Sequence, residues 1–416
     1  MSSNLQEPLL KDTQKPEGDP RVTFIIKLGR ALHKYGTPTH RLEGAMNLVL
    51  QRLGLDGNFF SMPTGILVSF GLPEERRTSL IRIEPGETDL EKLTLLDELT
   101  GQVIRGEVSV AEGAAKVDEI VAAPSRYSSL LTIICYGLAS CTYAIFFGGG
   151  WREVIASSVI GLALGGLAEI VKRSEDTVRV FEPMAAVISS ALAIVATLAL
   201  SPVSTYITTL AGLIVLVPGL TLTVAMRELA TRNLMSGTAR LMGAVLIFLE
   251  IGFGVALGRQ LGRVFQPSAL HLDPSPLAPW AVWVALIVAP LAFSVLLRAM
   301  PRDVGWIMIA SGLSFGGARA GALLLGPDLG ACLGAILVGA GGNLYARLLD
   351  RPATIPVVPS ILLLVPGSIG YGSFAKFLEK DVISGIETAF NAILIAVALV
   401  TGLLIANLIV RPRKAL

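Results

Sequence analysis

The feature that most constrains this chain is a series of long apolar stretches that occupies the sequence after Pro124. A helix needs roughly 20 apolar residues to cross the hydrocarbon core of a bilayer. Because lipid offers no partner to backbone N–H and C=O groups, such stretches predict an α-helical integral membrane protein with about ten transmembrane helices. The stretches cover about 128–147, 152–171, 183–201, 203–219, 236–258, 279–299, 304–323, 328–346, 353–370 and 383–409.

Charged residues are concentrated ahead of these stretches. Residues 1–126 hold 15 Lys/Arg and 18 Asp/Glu, which is half of all charged side chains in less than a third of the chain. The pattern predicts a disordered tail (1–20), a small soluble α+β domain (21–124) and two membrane segments (125–260 and 275–416). The soluble domain reads as helix, helix, β-hairpin, strand, helix, helix. A net charge of +2 without a basic stripe argues against a nucleic-acid partner.

Basic residues in the links between the stretches indicate an orientation. If the soluble domain is cytoplasmic, the links and tail on its side carry 13 Lys/Arg, and the links on the opposite side carry 5. The positive-inside rule requires an asymmetry of this sign. The sequence therefore predicts a multi-pass protein of the cytoplasmic membrane with both termini in the cytoplasm.

The membrane region repeats itself at an offset of about 148 residues. Val217-Pro218-Gly219 matches Val365-Pro366-Gly367, and Ser236-Gly237 matches Ser384-Gly385 in the same register. Each half would hold five helices, and an odd number places the second half upside down relative to the first. Two inverted five-helix repeats are typical of secondary transporters, whose binding site lies near the midplane where the repeats meet.

The two Pro-Gly pairs are the first candidate substrate-binding residues. Proline removes a backbone donor and glycine permits unusual dihedral angles, so Pro218-Gly219 and Pro366-Gly367 could each break a helix. A broken helix exposes N–H and C=O groups that can hold a carboxylate or an ammonium. The hydroxyls of Thr221 and Ser368 could then hydrogen-bond a zwitterionic substrate. The alternative is that each pair only caps a helix at the membrane surface.

Ionisable residues inside the predicted spans are few, and each is a candidate because charge in the membrane is costly. Glu250, in the middle of the segment LIFLEIGFG, is the candidate proton-coupling carboxylate. Arg319 would meet either the carboxylate of the substrate or one of the protein's own. Glu169 lies near the end of its stretch, where its side chain can reach the interface.

Neither a cofactor nor catalysis is predicted. The three cysteines lie in apolar runs and the three histidines have no metal-ligand spacing. In the soluble domain Thr39, His40, Arg41 and Glu43 cluster at a predicted helix start and could form a polar site with Thr64. Helix capping and surface salt bridges explain these residues equally well. A membrane-tethered enzyme that acts through this domain remains the alternative.

Five stretches, in order along the chain, carry a resemblance to a known family. They are YGTPTHRLE (35–43), PTGI (63–66), LVPGL (216–220), MREL (226–229) and VPGS (365–368). These stretches are similar to segments of the threonine/serine exporter family, which includes the fungal pheromone-regulated membrane proteins. The resemblance implies a cytoplasmic N-terminal domain fused to ten spans that export threonine and serine across the inner (cytoplasmic) membrane against protons, as an antiporter. Relatives are also associated with dicarboxylate export.

The sequence and the resemblance together predict a secondary transporter that works by alternating access around the two Pro-Gly breaks. Its partners would be a small amino acid, protons and the lipid bilayer, and a homo-oligomer is left open. Arg319 facing a cavity without a protein carboxylate would favour a dicarboxylate or organic-anion exporter. A deep pocket around Arg41, Glu43 and Thr64, with no central membrane cavity, would favour the enzyme.

Overall fold

The computed structural model describes residues 19–71, 76–84, 86–172, 175–178, 180–200, 202–263, 275–364 and 367–412. The N-terminal α+β part, Pro20–Ala122, comes first and is followed by a helical part, Ser129–Ile409. Pro366, one of the predicted site residues, lies outside the described ranges. The predicted tail lies outside them up to residue 18.

The N-terminal α+β part has the order of elements that the sequence predicts. Its three strands form one antiparallel sheet in the order β1-β2-β3. Phe24, Ile25, Leu28 and Leu32 follow a helical spacing and are buried in a core that includes Ile66 of the sheet. The elements are α1 (Pro20–Lys34), α2 (Thr39–Arg52), β1 (Gly57–Met62), β2 (Gly65–Phe70), β3 (Arg77–Arg82), α3 (Leu90–Ile104) and α4 (Val110–Ala122).

The helical part is a membrane structure. Seven of its described helices are long and apolar enough to cross a membrane, fewer than the ten that the sequence predicts. Apolar side chains such as Leu323, Ile383 and Leu408 are 82–86% exposed, which a bilayer explains and water does not. The elements are α5 (Ser129–Phe146), α6 (Trp151–Val171), α7 (Glu175–Val178), α8 (Phe181–Leu200), α9 (Thr205–Leu213), α10 (Gly219–Ala230), α11 (Leu234–Arg263), α12 (Trp280–Leu296), a 3₁₀ turn (Pro301–Asp303), α13 (Val304–Leu325), α14 (Pro327–Leu349), α15 (Thr354–Ile361), α16 (Gly367–Leu378) and α17 (Val382–Ile409).

The fourth and ninth apolar stretches are not continuous helices. In the first case α9 ends at Leu213 after 9 residues, and α10 begins at Gly219 and continues to Ala230, well beyond the predicted end of the stretch. In the second, α15 has 8 residues and α16 starts at Gly367. The predicted helix break at Pro218-Gly219 is present in the structure. The predicted single helix over 203–219 is wrong, because two helices cover 205–213 and 219–230.

The N-terminal α+β part is docked on one end of the helical part. Backbone N–H groups of Leu90 and Glu91 donate to the carbonyls of Leu297 and Arg298 at 3.0 Å each. The Tyr127 hydroxyl donates to the carbonyl of Ala299 at 2.6 Å. Residues of the helical part join the N-terminal core, namely Ala299, Ile307, Tyr345 and Ile355. This contact places the N-terminal part at the end where α6, α10 and α12 finish.

Candidate functional site

A cavity of about 440 Å³ lies where the N-terminal α+β part meets the helical part. We call it the interface cavity. Leu220, Thr221, Val224 and Arg227 line it from α10, at the spacing of one helix face. The opposite walls come from the N-terminal part and from α14, α15 and α17, and include Arg41, Asn343 and Asn407. The cavity therefore begins directly after the Pro218-Gly219 break and reaches the N-terminal part.

Three arginines line the interface cavity, and two of them have an acidic partner. The Nε atom of Arg240 lies 3.0 Å from Oε2 of Glu228, whose side chain is fully buried. The other oxygen of Glu228, Oε1, accepts a hydrogen bond from the backbone N–H of Thr39 at 3.0 Å. Arg41 lies within electrostatic range of Asp97. Arg227 is the third arginine, and its buried Nε atom has no hydrogen-bond partner among the described residues.

His40 lies beside these arginines. Burial, followed by the positive charges of Arg227 and Arg41, lowers the pKa of His40 to about 3. Both ring nitrogens are buried and have no hydrogen-bond partner within the described ranges. The ring is therefore neutral at physiological pH, and neither of its nitrogen atoms makes a hydrogen bond with the described residues.

Glu43 and Thr64, the other predicted members of this polar site, lie away from the interface cavity. Oε1 of Glu43 accepts a hydrogen bond from the backbone N–H of Ser61 at 2.8 Å, and burial raises the pKa of this carboxyl. Thr64 is exposed in the turn between β1 and β2. Neither residue lines the interface cavity, whereas Arg41 does. Among the described residues no group of histidine, cysteine, aspartate and glutamate could hold a metal ion.

A second cavity, of about 360 Å³, lies inside the helical part. We call it the aromatic cavity because Tyr143, Phe146, Phe147 and Phe315 line it. Two predicted site residues, Arg319 and Ser368, line it as well. The exposed Arg319 side chain makes no hydrogen bond or ion pair with any residue that the structure describes.

Tyr143 connects the aromatic cavity to the link between α15 and α16. Its hydroxyl donates to the carbonyl of Leu362 at 2.7 Å. Its ring makes edge contacts with Phe146, Phe147 and Phe293, at centroid distances of 5.7, 5.7 and 6.0 Å. Leu362 precedes Leu363, which lines the same cavity, and follows Ile361, which lines the interface cavity. One short segment therefore separates the two cavities.

The two breaks touch each other. A Cβ atom placed on Gly367 would lie 2.6 Å from Cγ1 of Val217 and 3.3 Å from Cα of Gly219. Close by, the Phe248 ring fills the space where a side chain at Gly370 would lie. Phe248 is central in the apolar stretch Leu234–Leu261 of α11. The breaks therefore meet halfway along this long helix, with Thr221 on one cavity and Ser368 on the other.

Glu250 is apart from both cavities. It lies on α11, two residues after Phe248, and is half-buried. Its carboxylate makes no hydrogen bond or ion pair within the described part of the chain, and it lies in electrostatic range of Glu182 at the start of α8. The structure does not bring Glu250 together with Thr221 or Arg319.

Sequence reasoning missed Arg227 as a site residue, because a basic residue after an apolar stretch was assigned to a link. Arg227 lies seven residues after Leu220 and three after Val224, and this spacing could have placed the three residues on one helix face.

Asn343 makes the interhelical hydrogen bonds that are expected of an amide inside the membrane. Its Nδ2 donates to Oδ1 of Asn407 at 2.9 Å and to the carbonyl of Val410 at 2.8 Å.

These features define the class of protein: a multi-span helical membrane protein with broken helices and with cavities that combine apolar walls and a few polar side chains, as transporters have. Comparison with protein families identifies it further. Residues 23–262 match a family described as "putative threonine/serine exporter", and residues 282–409 match one described as "threonine/serine exporter, ThrE". The chain belongs to the threonine/serine exporter family.

The chain is also similar to fungal proteins named pheromone-regulated membrane protein 10. The protein of Candida albicans (strain WO-1) is 30% identical over 385 residues, which cover 89% of this chain and 34% of the fungal protein. The proteins of Saccharomyces cerevisiae (strain YJM789) and Eremothecium gossypii are 28% and 27% identical, over 89% and 90% of this chain and 48% and 50% of their own length. The chain thus spans a third to a half of these relatives. No solved structure matches it.

Proposed function

We propose that this chain is a secondary transporter that exports threonine and serine across the cytoplasmic membrane. The observation that carries the proposal is the interface cavity beside the Pro218-Gly219 break. Its volume of about 440 Å³ lies within the range of roughly 300–1,000 Å³ that small-molecule sites occupy. Cationic Arg227, the hydroxyl of Thr221 and the amide of Asn343 supply partners for a carboxylate, a hydroxyl and an ammonium.

Two inverted repeats are part of this proposal, and local geometry at the offset of 148 residues supports them. The N–H of Leu216 donates to the carbonyl of Leu213 at 2.8 Å, and Leu364 donates to Ile361 at the same distance. Equivalent pairs of residues also share conformation and packing. Arg232 and Lys380 both have φ of 65°, Gly237 packs on Leu229, and Gly385 packs on Phe377.

Contacts between the halves are reciprocal, as a two-fold relation requires. Helix α10 packs against α17, and α16 packs against α11. If each broken pair, α9–α10 and α15–α16, makes one crossing, these two crossings add to α12 and the seven long helices to give ten. The proposed segments are then a soluble domain at 21–124 and membrane repeats at 125–260 and 275–416. The excess of basic residues on the links beside the soluble domain supports a cytoplasmic location for it.

The transport step uses the two cavities in turn. A substrate enters the interface cavity, passes the joined breaks when they move, and reaches the aromatic cavity with its Arg319 and Ser368. The Tyr143 hydroxyl holds the separating segment closed through the carbonyl of Leu362. Glu250, an intramembrane carboxylate without an ion-pair partner in the described part of the chain, is the proposed site of proton coupling.

The test is efflux from proteoliposomes loaded with labelled threonine, serine or succinate under an imposed pH gradient. We expect threonine and serine to leave, and efflux to collapse when the gradient is dissipated. If neither threonine nor serine leaves the liposomes, the proposal is overturned. If efflux does not depend on the pH gradient, the proposed proton coupling is overturned. Liposomes without protein provide the background rate.

An exporter of dicarboxylates or other organic anions is the second candidate. Arg319 favours it, since this cation lines the aromatic cavity without a carboxylate partner among the described residues. Succinate efflux in the absence of amino-acid efflux would select this candidate. The alternative of a tethered enzyme lacks a comparable observation, because Glu43 and Thr64 lie outside the interface cavity and a further cavity lies within the helical part.

A further inference from the structure

The interface cavity has one positive charge more than the surrounding protein balances. Glu228 is paired with Arg240, and Asp97 lies within electrostatic range of Arg41. Arg227 has no counter-charge of this kind among the described residues. Its guanidinium is instead within electrostatic range of a second cation, Arg41, which lines the same cavity.

The lining of the interface cavity adds a second asymmetry. Its described members include three arginines but no aspartate or glutamate. The Nε–H of Arg227 is buried without an acceptor, and both ring nitrogens of nearby His40 also lack partners in the described structure. Buried donors that stay unpaired are costly, and a buried charge is retained when something pairs with it. The missing partner is an anion, and the cavity has room for one.

We propose that Arg227 and Arg41 form a carboxylate-binding site to which both parts of the chain contribute. Arg227 comes from the broken helix α10 and Arg41 from helix α2 of the N-terminal α+β part. A guanidinium offers a planar pair of donors that matches the two oxygens of a carboxylate. His40 does not line the cavity, and its lowered pKa keeps it from adding a third positive charge beside the two arginines. The inference rests on the proposed function, because the carboxylate is that of the transported solute.

A consequence is that the N-terminal part is a component of the binding site. The docking contacts hold it in place for this role, since the backbone N–H of Thr39, two residues before Arg41, bonds to Glu228, the residue after Arg227. This hydrogen bond between the two parts of the chain therefore lies within two residues of each arginine. A solute that lacks a carboxylate would leave Arg227 unpaired and should bind poorly.

The test measures binding directly, by thermal stabilisation of the purified full chain in detergent. Threonine, serine and succinate are titrated separately, and threoninol, which lacks the carboxylate, is the comparison ligand. We expect at least one of the carboxylates to raise the melting temperature and threoninol to leave it unchanged. Arg227→Gln and Arg41→Gln should each weaken the carboxylate by at least about tenfold, as expected for a lost charge-assisted hydrogen bond.

A matched control separates binding from folding. Arg302→Gln removes an arginine at the same interface, where Arg302 pairs with Glu98 at 2.5 Å outside the cavity, and should bind carboxylates as the wild type does. Without ligand, Arg227→Gln should melt no lower than the wild type, because it removes an unpaired charge. If Arg227 had only a structural role, Arg227→Gln would have a lower melting temperature than the wild type.

The outcomes distinguish this inference from the proposed function. No stabilisation of the wild type by any of the three carboxylates, an equal response to threoninol, or an undiminished response of Arg227→Gln would each overturn the site. Saturation by chloride alone, with no further effect of a carboxylate, would identify a halide site and also overturn it. Carboxylate binding that needs Arg227 but produces no efflux would preserve the site and remove the transport proposal.

Discussion

The contact between the two breaks predicts that an added methyl group at Gly367 is damaging. Gly367 has no positive φ, so alanine is allowed by the backbone and only the contact opposes it. The new Cβ would lie 2.6 Å from Cγ1 of Val217. Favourable van der Waals contacts between carbon atoms have lengths of about 3.5–4.0 Å, so the two breaks must separate by roughly 1 Å. Val217 cannot turn away easily because its branched side chain has few allowed rotamers.

Overpacking of this kind costs about 1–3 kcal/mol. If the observed arrangement is one state of the transport cycle, Gly367→Ala lowers its population relative to competing states by roughly 5- to 150-fold. We expect a lower melting temperature in detergent and a comparable loss of efflux rate from proteoliposomes. Both measurements use the same purified protein, so a folding defect is recognised when monodispersity is lost.

Gly312→Ala is the matched control. Gly312 lies in α13, and a Cβ there would have no neighbour within 4 Å. Alanine in a helix is favoured over glycine by up to about 1 kcal/mol, so this variant should be as stable as the wild type or more so. Equal melting temperatures and equal efflux for Gly367→Ala and Gly312→Ala would refute the idea that the breaks are packed against each other.

Three further predictions concern single ionisable residues. Glu228→Gln should cost about 1–3 kcal/mol and loosen the N-terminal part, because Arg240 loses its buried partner; thermal melting and limited proteolysis measure this. The pKa of His40 is about 3 in the folded chain, against about 6.5 unfolded, so the unfolded state binds protons more readily between these values. Stability should therefore fall below pH 6.5, by up to about 1.4 kcal/mol at pH 5.5, and His40→Gln should lack this loss when melting is compared at pH 7.5 and 5.5. Glu250→Gln should insert normally but lose the dependence of efflux on the pH gradient.

Each of these predictions has a contrasting variant or outcome. Glu98→Gln breaks an exposed ion pair across the same interface and should cost at most about 1 kcal/mol; a cost as large as that of Glu228→Gln would contradict the role of burial. An unchanged acid sensitivity in His40→Gln would mean that other groups cause it. Retained gradient dependence in Glu250→Gln would remove this carboxylate from the coupling mechanism.

The sequence predicted those features that depend on local patterns. Alternation and turn residues gave the order of elements in the N-terminal part, and the repeated Val-Pro-Gly gave the position of the first break. Hydropathy failed at α10 because the predicted stretch ends at the Pro218-Gly219 pair, whereas a helix begins at Gly219 and continues to Ala230. A window counts side-chain polarity, whereas a helix continues for as long as its backbone hydrogen bonds do.

The interface cavity could not be predicted in the same way. Arg41 and Arg227 are distant in the sequence and belong to parts with different solvents, so neither helical spacing nor composition relates them. Their proximity follows from docking of the N-terminal part, which depends on contacts such as that between Thr39 and Glu228. That the hydroxyls of Thr221 and Ser368 bind the substrate stays a prediction, and the structure places the two residues on different cavities.

The reciprocal packing of α10 on α17 and of α16 on α11 has a consequence for how the chain is made. Membrane helices leave the ribosome in order, and chains generally fold from the N-terminus during synthesis. Helix α10 is then inserted while α17 is still untranslated. One flank of the first half has no packing partner until α17 has been made, and a chain truncated before α17 should expose α10 to quality-control proteases. A helix from the second half is thus needed to complete the packing of the first half.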